Sequence, residues 1–227
     1  MSDSVENYLK VIYKLQEDSE KVSTSALADR MGVAPPSVTS MITRLASLGL
    51  LQHDRYRGVH LTDAGARAAL EVIRHHRLWE LFLAEALQVP LERVHGEAER
   101  LEHNLSDDLE EALDRALGHP TVDPHGDPIP SKDLTLGPTS RQTLAEWPLR
   151  ETVRIARVPD SDPSLLHYLS DLGLLPGAVV RVSRKDPFGG PLYVDIQSQA
   201  KGSEASGPCI LGRELASRIF VEAVVEE

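Results

Sequence analysis

The chain has 227 residues, of which 41% are hydrophobic, and this is enough for a substantial core in one to three domains. A net charge of −11 argues against a protein that binds nucleic acid over its whole surface. No run of about 18 apolar residues predicts a transmembrane helix, and the single cysteine, Cys209, excludes an internal disulfide. The first residues lack the pattern of a secretory signal, so we expect a cytoplasmic protein that does not bind membranes.

The acidic residues are distributed unevenly along the chain. Residues 1–70 contain 8 basic and 8 acidic residues, whereas residues 71–140 contain 6 basic and 15 acidic ones. The neutral first segment is compatible with local contact to nucleic acid, and the acidic second segment favours binding of cations.

The first 70 residues predict a winged helix-turn-helix. Apolar positions recur at helical spacing over residues 4–19. A second helix, ALADRM, ends at Gly32, and Pro35-Pro36 open a third helix. The segments LLQHDRY and VHLT then predict a short β-hairpin, which would form the wing.

The third helix and the wing carry the candidate DNA-contacting residues. One side of the helix is apolar, and the other side presents small hydroxyl side chains and one arginine, as a helix in the major groove requires. We expect Arg44 to contact guanine or phosphate. We expect the wing to reach the DNA backbone or the minor groove. The alternative is an ordinary surface helix with a polar outer side. The candidate DNA-binding residues are Pro36, Ser37, Thr39, Ser40, Thr43, Arg44, Arg55, Tyr56 and Arg57.

Two helices after the wing carry histidine and glutamate on matching stripes. Residues 63–87 predict one long helix, with His76 and Glu80 one turn apart. A second helix over about 91–117 would present a stripe of four residues, His95, Glu99, Glu102 and His103. Stripes on adjacent helices can hold a divalent cation with imidazole and carboxylate. The alternative is a solvated acidic face with incidental histidines.

Proline, glycine and aspartate mark residues 118–148 as loop and linker. Within it, Asp123-Pro-His125-Gly-Asp127 alternates ligand-type residues, and Asp160 and Asp162 follow in a later turn. Each group fits either metal ligation or simple turn formation. The segments TVRIARV, AVVRVSR, LYVDIQS and IFVEAVV predict strands, with a helical piece, PSLLHYLSDLG, after the first. We therefore predict a mainly α protein with a small β-rich C-terminal domain.

The chain resembles a known family over nearly its whole length. The segments that carry the resemblance are ENYLKVIYKL, PSVTSMITRLASLGLL, YRGVHLTDAGA, HHRLWELFL, VHGEAERLEHNLSDDLEEAL, HPTVDPHGDPIP and LGLLPGAVVRV. They look like the diphtheria-toxin-repressor family of metal-dependent transcriptional repressors, and most like its manganese-transport-regulator branch. The resemblance implies a winged helix over 1–70, a helical metal-binding and dimerisation domain over 71–140, and an SH3-like (FeoA-type) barrel over 148–227.

The resemblance also implies two metal sites. The first would comprise Asn7, Glu99, Glu102 and His103. The second would comprise His76 and Glu80 with His95 or with the loop residues Asp123 and His125, and Asp160 would reach in from the C-terminal domain. Asn7 stands where manganese-type relatives usually place aspartate, and Lys10 follows it, which weakens the first site or changes its geometry.

All of these candidate ligands are oxygen or nitrogen donors, and none offers a thiolate or thioether. Such a hard set suits Mn²⁺ and tolerates Fe²⁺, while Cd²⁺, Co²⁺ or Zn²⁺ are further metals expected to bind in vitro. We expect a repressor, not an enzyme, that binds palindromic operators of metal-uptake genes as a manganese-loaded homodimer. An iron-dependent repressor of the same family and, from another class, a metalloenzyme are the alternatives.

Overall fold

Helices make up the first half of the chain and a sheet most of the last third. The structure is a computed structural model that describes residues 1–17, 19, 21–54, 58–160, 162–198 and 208–224. Its helices are α1 (Asp3–Gln16), α2 (Thr24–Met31), α3 (Pro35–Ser47), α4 (Asp63–Glu85), α5 (Leu91–Leu101), α6 (Asp107–Ala116), α7 (Pro163–Asp171) and α8 (Arg213–Ala216). Its strands are β1 (Leu51–Asp54), β2 (Gly58–Leu61), β3 (Thr152–Arg157), β4 (Val179–Lys185), β5 (Leu192–Ser198), β6 (Pro208–Leu211) and β7 (Phe220–Ala223). The predicted fold class is confirmed. Within the described ranges, we find no helix with the length and apolarity needed to cross a membrane.

The N-terminal elements pack around one apolar core. One face of α1, which includes the buried Leu9 and Ile12, packs against α2, α4 and β2. Ser23 caps α2 by accepting a hydrogen bond from the Ala26 amide. Gly32 ends α2 in the left-handed conformation, with φ of 64°. The strands β1 and β2 pair antiparallel after α3, so these elements form the predicted winged helix-turn-helix.

The helix α4 links the wing to the rest of the molecule. Thr62 caps it by accepting a hydrogen bond from the Gly65 amide, and Gly65 lies directly against the backbone of Leu50. Further along, α4 packs against α1, α5, α6 and the turn that follows α5. The buried middle of α4 carries the polar side chains Arg74, His75, His76, Arg77 and Glu80. Because buried charges are costly unless paired, this part of α4 requires partners from the elements around it.

The prediction of a single helix over about 91–117 is wrong. The chain forms α5, then a 3-10 turn over Glu102–Asn104, then α6. Ser106 begins α6 by accepting a backbone hydrogen bond, because serine, asparagine and aspartate favour helix caps over helix interiors. His95 and Glu99 therefore lie on α5 and Glu102 and His103 on the turn, so the four do not share one helical stripe.

The loop over residues 123–127 docks on the C-terminal domain. The Val158 amide donates a 3.0 Å hydrogen bond to the His125 carbonyl oxygen. A Cβ built on Gly126 would lie 1.9 Å from the Ala156 carbonyl oxygen. The backbones of the loop and of β3 are therefore in direct contact, which carries the end of β3 towards α4.

The C-terminal domain is an antiparallel sheet in the order β6-β5-β4-β3-β7. Alternate residues of its strands point into one core, which Leu144 and Trp147 of the preceding segment also join. Lys185 donates a 2.6 Å hydrogen bond to the Trp147 carbonyl, so the predicted linker is packed at its C-terminal end. Sequence reasoning missed β6 and α8, which are only four residues long and show no clear apolar period.

Gly126→Ala tests the docking of the loop. Gly126 has φ of 90°, and an added Cβ would clash with the Ala156 backbone. We expect the free energy of unfolding to fall by about 1–3 kcal/mol, measured by urea denaturation. Gly118→Ala is the matched control, because Gly118 has φ of 75° but open space around its Cβ position. Equal losses in both variants would show that backbone strain alone, not the contact with β3, sets the cost.

Candidate metal centre and DNA-contacting face

Glu80 lies at the centre of a buried cluster between α4 and α5. Its side chain is 1% exposed, and its Oε1 lies 2.9 Å from His76 Nε2 and 2.9 Å from His95 Nδ1. Those two imidazole nitrogens are 3.1 Å apart. His76 and Glu80 are one turn apart on α4, as their spacing predicts, and α5 places His95 opposite them. Three donor atoms thus converge as ligands of a divalent cation do.

The loop over residues 123–127 brings further donors to the same carboxylate. His125 Nδ1 lies 3.9 Å from Glu80 Oε2, and donor atoms of Glu80, Asp123 and His125 lie within 4.8 Å of one another. Arg77 on α4 holds this loop, with Nη1 donating a 2.5 Å hydrogen bond to the Pro128 carbonyl. Glu80 therefore joins two groups of donors into one interdomain centre, formed by His76, Glu80, His95, Asp123 and His125.

His125 has an unusual environment for a histidine. It is 0% exposed, and neither ring nitrogen has a hydrogen-bond partner within the described part of the chain. Burial lowers the pKa of His125, against the opposing charge of Glu80, so its ring is neutral and its lone pair is available. An unpaired buried polar group costs about 1–3 kcal/mol, and coordination of a metal would remove that cost. The residues of the interdomain centre therefore fit a divalent cation.

The surroundings shift the pKa values of two carboxyl groups of the centre in opposite directions. Burial by itself raises the pKa of Glu80, but the charge and hydrogen bond of His76 and the hydrogen bond of His95 hold that pKa well below its usual range. Burial, and then the charges of Glu80 and Asp127, raise the pKa of Asp123 well above its usual range. A proton on Asp123 therefore competes with a cation, and cation binding is expected to release protons.

Asp160 borders the interdomain centre from the C-terminal domain. Its Oδ2 lies 3.5 Å from Nζ of Lys14 on α1. Burial raises the pKa of Asp160, but Lys14 and His95 bring that pKa below its usual range. Asp160 thus connects α1, the centre and the C-terminal domain electrostatically. Asp162 instead caps α7 by accepting hydrogen bonds from the Ser164 and Leu165 amides, in keeping with its interpretation as a turn residue.

The other predicted ligand set surrounds a lysine. His103 Nε2 lies 2.9 Å from Asn7 Oδ1 and 3.5 Å from Glu102 Oε1. Lys10 Nζ lies 2.5 Å from the same Glu102 oxygen and 3.8 Å from Glu99 Oε1. The second Glu102 oxygen lies 2.5 Å from His76 Nδ1, so this lower set is connected to the interdomain centre. The side chain of Glu99 is 53% exposed and lies at the edge of the set.

The candidate DNA-contacting face of α3 is open to solvent. The exposed residues of this face are Pro36, Ser37, Thr39, Ser40, Thr43 and Arg44. The opposite side, with Val38, Ile42 and Leu45, is buried in the N-terminal core. The face is thus free to enter a DNA groove. The wing residues predicted to contact DNA, Arg55, Tyr56 and Arg57, lie outside the described residues.

Sequence reasoning missed the charged side chains that hold these groups in place. Glu6 Oε2 lies 2.6 Å from His103 Nδ1, Lys14 pairs with Asp160, and Arg77 holds the loop. The available indication was helical spacing, because Glu6, Lys10 and Lys14 recur every four residues on α1. The partners of these α1 residues come from distant parts of the chain, and helical spacing does not reveal such long-range pairs.

Three family models match successive parts of the chain. They are the iron-dependent-repressor N-terminal DNA-binding domain over residues 1–59, the iron-dependent-repressor metal-binding and dimerisation domain over residues 62–131, and the FeoA domain over residues 142–223. The iron-dependent repressor IdeR of Mycobacterium leprae is 34% identical over 197 residues, which cover 79% of this chain and 84% of that protein. The chain belongs to the diphtheria-toxin-repressor family. This confirms the predicted family, whose members are transcriptional repressors rather than enzymes.

Further relatives match over most of the chain, and solved structures match nearly all of it. The diphtheria toxin repressor of Corynebacterium diphtheriae is 34% identical over 163 residues, covering 69% of this chain and 72% of that protein. A manganese-dependent transcriptional repressor solved in complex with manganese is 39% identical, with a TM-score of 0.84, and the match covers 97% of this chain and 100% of that one. ScaR with bound Cd²⁺ is 35% identical with a TM-score of 0.79, covering 97% and 99% of the two chains. The three-part fold with an SH3-like C-terminal sheet is therefore confirmed.

His125→Ala is expected to reduce the stabilisation of the protein by a divalent cation. A cation present at 100 times its dissociation constant adds about 2.7 kcal/mol to the free energy of unfolding, which calorimetry detects as a rise in melting temperature on addition of Mn²⁺. We expect His125→Ala to lose most of that rise. His119→Ala is the control, because His119 is exposed and pairs with Asp114. A full rise in His125→Ala would exclude the loop from the metal centre.

Arg44→Ala is expected to lower operator affinity by about 1–3 kcal/mol, the discrimination typical of one base contact. The measurement is fluorescence anisotropy with a palindromic promoter duplex and with a random duplex of equal length. Arg184→Ala removes the same charge from β4, where Arg184 stacks on Tyr193, and is expected to leave operator affinity unchanged. Normal operator affinity in Arg44→Ala would mean that the exposed side of α3 is not the DNA-contacting face.

Proposed function

We propose that this protein is a manganese-dependent transcriptional repressor that acts in the cytoplasm, as a homodimer, on palindromic operators of metal-uptake genes. The observation that carries the proposal is the buried interdomain centre on Glu80, where two groups of oxygen and nitrogen donors meet. The exposed face of α3 supplies the surface for DNA. The match to a metal-binding and dimerisation domain supports both the metal and the dimer.

The proposed metal ligands are His76, Glu80, His95, Asp123, His125 and Asp160. They come from α4, from α5, from the loop over residues 123–127 and from the turn after β3. The set contains no sulfur donor, and hard donors suit Mn²⁺. Solved relatives support this choice, since one is described as a complex with manganese and another as the manganese-activated repressor ScaR.

Mutual repulsion of carboxylates is the force that the metal would oppose. Residues 71–140 hold 15 acidic and 6 basic residues. The pKa of Asp123 is raised first by burial and then by the negative charges of Glu80 and Asp127. A bound dication supplies two positive charges where these donors converge. Glu80, Asp123 and Asp160 can then stay ionised close together, and α4, the loop and the C-terminal domain stay docked.

The helix α4 connects the interdomain centre to the DNA-binding domain. Its first turn is fixed to the wing through Thr62, which also donates a 2.8 Å hydrogen bond to the Gly49 carbonyl at the end of α3. Glu80 lies roughly four turns further along the same helix. A shift of α4 at Glu80 therefore moves α3, and two α3 helices of a dimer must lie about 34–36 Å apart to enter successive major grooves. A coupling of about 1–3 kcal/mol would be typical.

An iron-dependent repressor is the second candidate function. The curated relative from Mycobacterium leprae is described as iron-dependent, and the same hard donors accept Fe²⁺. Parallel anaerobic titrations of operator binding with Mn²⁺ and Fe²⁺ separate the two. Activation by Mn²⁺ at lower free concentration supports the first candidate, and activation by Fe²⁺ at lower free concentration supports the second.

Glu80→Gln is expected to abolish manganese-dependent DNA binding, because Glu80 belongs to both donor groups and the substitution removes its charge. Operator affinity in saturating Mn²⁺ should then equal that of metal-free wild type, measured by anisotropy over a Mn²⁺ titration. Glu85→Gln is the matched control, since Glu85 is exposed at the end of the same helix. An unchanged Mn²⁺ midpoint in Glu80→Gln would overturn the proposed regulatory centre.

A further inference from the structure

Lys10 is a buried cation inside a set of metal-type ligands. Its side chain is 7% exposed, and its Nζ lies 2.5 Å from Glu102 Oε1 and 3.8 Å from Glu99 Oε1. The Glu102 side chain is 0% exposed, so its negative charge must be balanced by nearby groups. Lys10 on α1 and His76 on α4 provide that balance, one at each carboxylate oxygen.

The ammonium contacts the buried carboxylate oxygen that an ion bound by the lower set would also need. His103 Nε2 is 3.5 Å from the same Glu102 Oε1 that Lys10 contacts. Zn²⁺ bonds carboxylate oxygen at about 2.0–2.2 Å, so a dication of this kind on that oxygen would lie close to the ammonium, whose Nζ is 2.5 Å from the same atom. The two like charges repel, and Lys10 is largely buried, with a side chain that is 7% exposed.

His103 already has oxygen partners from α1 at both of its ring nitrogens. Its Nδ1 lies 2.6 Å from Glu6 Oε2, and its Nε2 lies 2.9 Å from Asn7 Oδ1. Both ring nitrogens therefore face oxygen acceptors from α1. His125 of the interdomain centre is the opposite case, because neither of its nitrogens has a partner within the described residues.

We propose that the Lys10 ammonium takes the place of a metal ion in the set of Asn7, Glu99, Glu102 and His103. Lys10 docks α1 onto the turn after α5 without metal, and the interdomain centre alone responds to Mn²⁺. The neutral carboxamide of Asn7 agrees with this arrangement, since a set that already holds one positive charge needs fewer negative ligands. The consequence for regulation rests on the proposed function, but the occupancy of the lower set by Lys10 does not.

The test is the number of Mn²⁺ ions bound per chain, measured by equilibrium dialysis of the full-length protein without DNA. The variants His103→Gln and Glu99→Gln are expected to bind as many ions as wild type. Lys10→Gln is expected to bind one more ion per chain, and Lys10→Gln with Asn7→Asp to hold it at least about tenfold more tightly, or 1.4 kcal/mol. Lys10→Arg keeps the cation and is expected to gain none.

The metal-free state gives a second measurement. Lys10→Gln should lower the melting temperature of metal-free protein and the hydrogen-exchange protection of α1 amides, and Mn²⁺ should restore both. Loss of one bound Mn²⁺ ion in His103→Gln or Glu99→Gln would overturn the proposal, and this result does not depend on whether a Lys10 variant folds. An unchanged count in a folded Lys10→Gln would also overturn it. Glu80→Gln separates failure of this proposal from failure of the proposed function. If Glu80→Gln binds as many Mn²⁺ ions as wild type, the interdomain centre is contradicted, but the result for Lys10 is unaffected.

Discussion

Glu80 is a carboxylate buried in the middle of α4, and the cost of burying it organises the structure around it. Its two oxygens face His76, His95 and His125, which come from α4, α5 and the loop over residues 123–127. Partners from three segments can meet one buried anion only if those segments pack in a fixed way. The packing of α4, α5 and the loop is therefore a requirement of the electrostatics as well as of the apolar cores.

The same arrangement explains how binding at one site can act on another. The loop contacts β3 through Gly126 and is held to α4 by Arg77. The start of α4 in turn contacts the residues between α3 and β1, through Thr62 with Gly49 and through Gly65 with Leu50. A change in the charge balance at Glu80 is thus transmitted through elements in direct backbone contact, and a displaced α4 would carry α3 with it. This is a physical route for coupling, and double-mutant cycles between Glu80 and Arg44 would measure its strength.

The protein contains two solutions to the same problem of neutralising buried carboxylates. At Glu102 the positive charge comes from Lys10, which is part of the chain and is present under all conditions. At Glu80 the neighbouring groups are histidines and the carboxyl group of Asp123. Burial and the charge of Glu80 raise the pKa of that carboxyl group. The first arrangement is permanent, whereas the second depends on what the solution supplies. Such a division would let one centre stabilise the fold and the other respond to metal.

Much of the fold and part of the candidate site could be predicted from the sequence alone. Helical spacing placed His76 and Glu80 on one face, caps and turns marked the winged helix, and the ligand-type loop at Asp123 and His125 stood out by composition. These features depend on residues close in the chain, whose geometry local rules determine. The break between α5 and α6 and the short strand β6 were missed, since weak local preferences compete there. Only the tertiary structure decided that Glu80 joins two donor groups, that Lys10 reaches Glu102 and that Asp160 faces Lys14 across 146 positions. Those pairings are set by how domains pack, and packing depends on contacts between residues far apart in the chain.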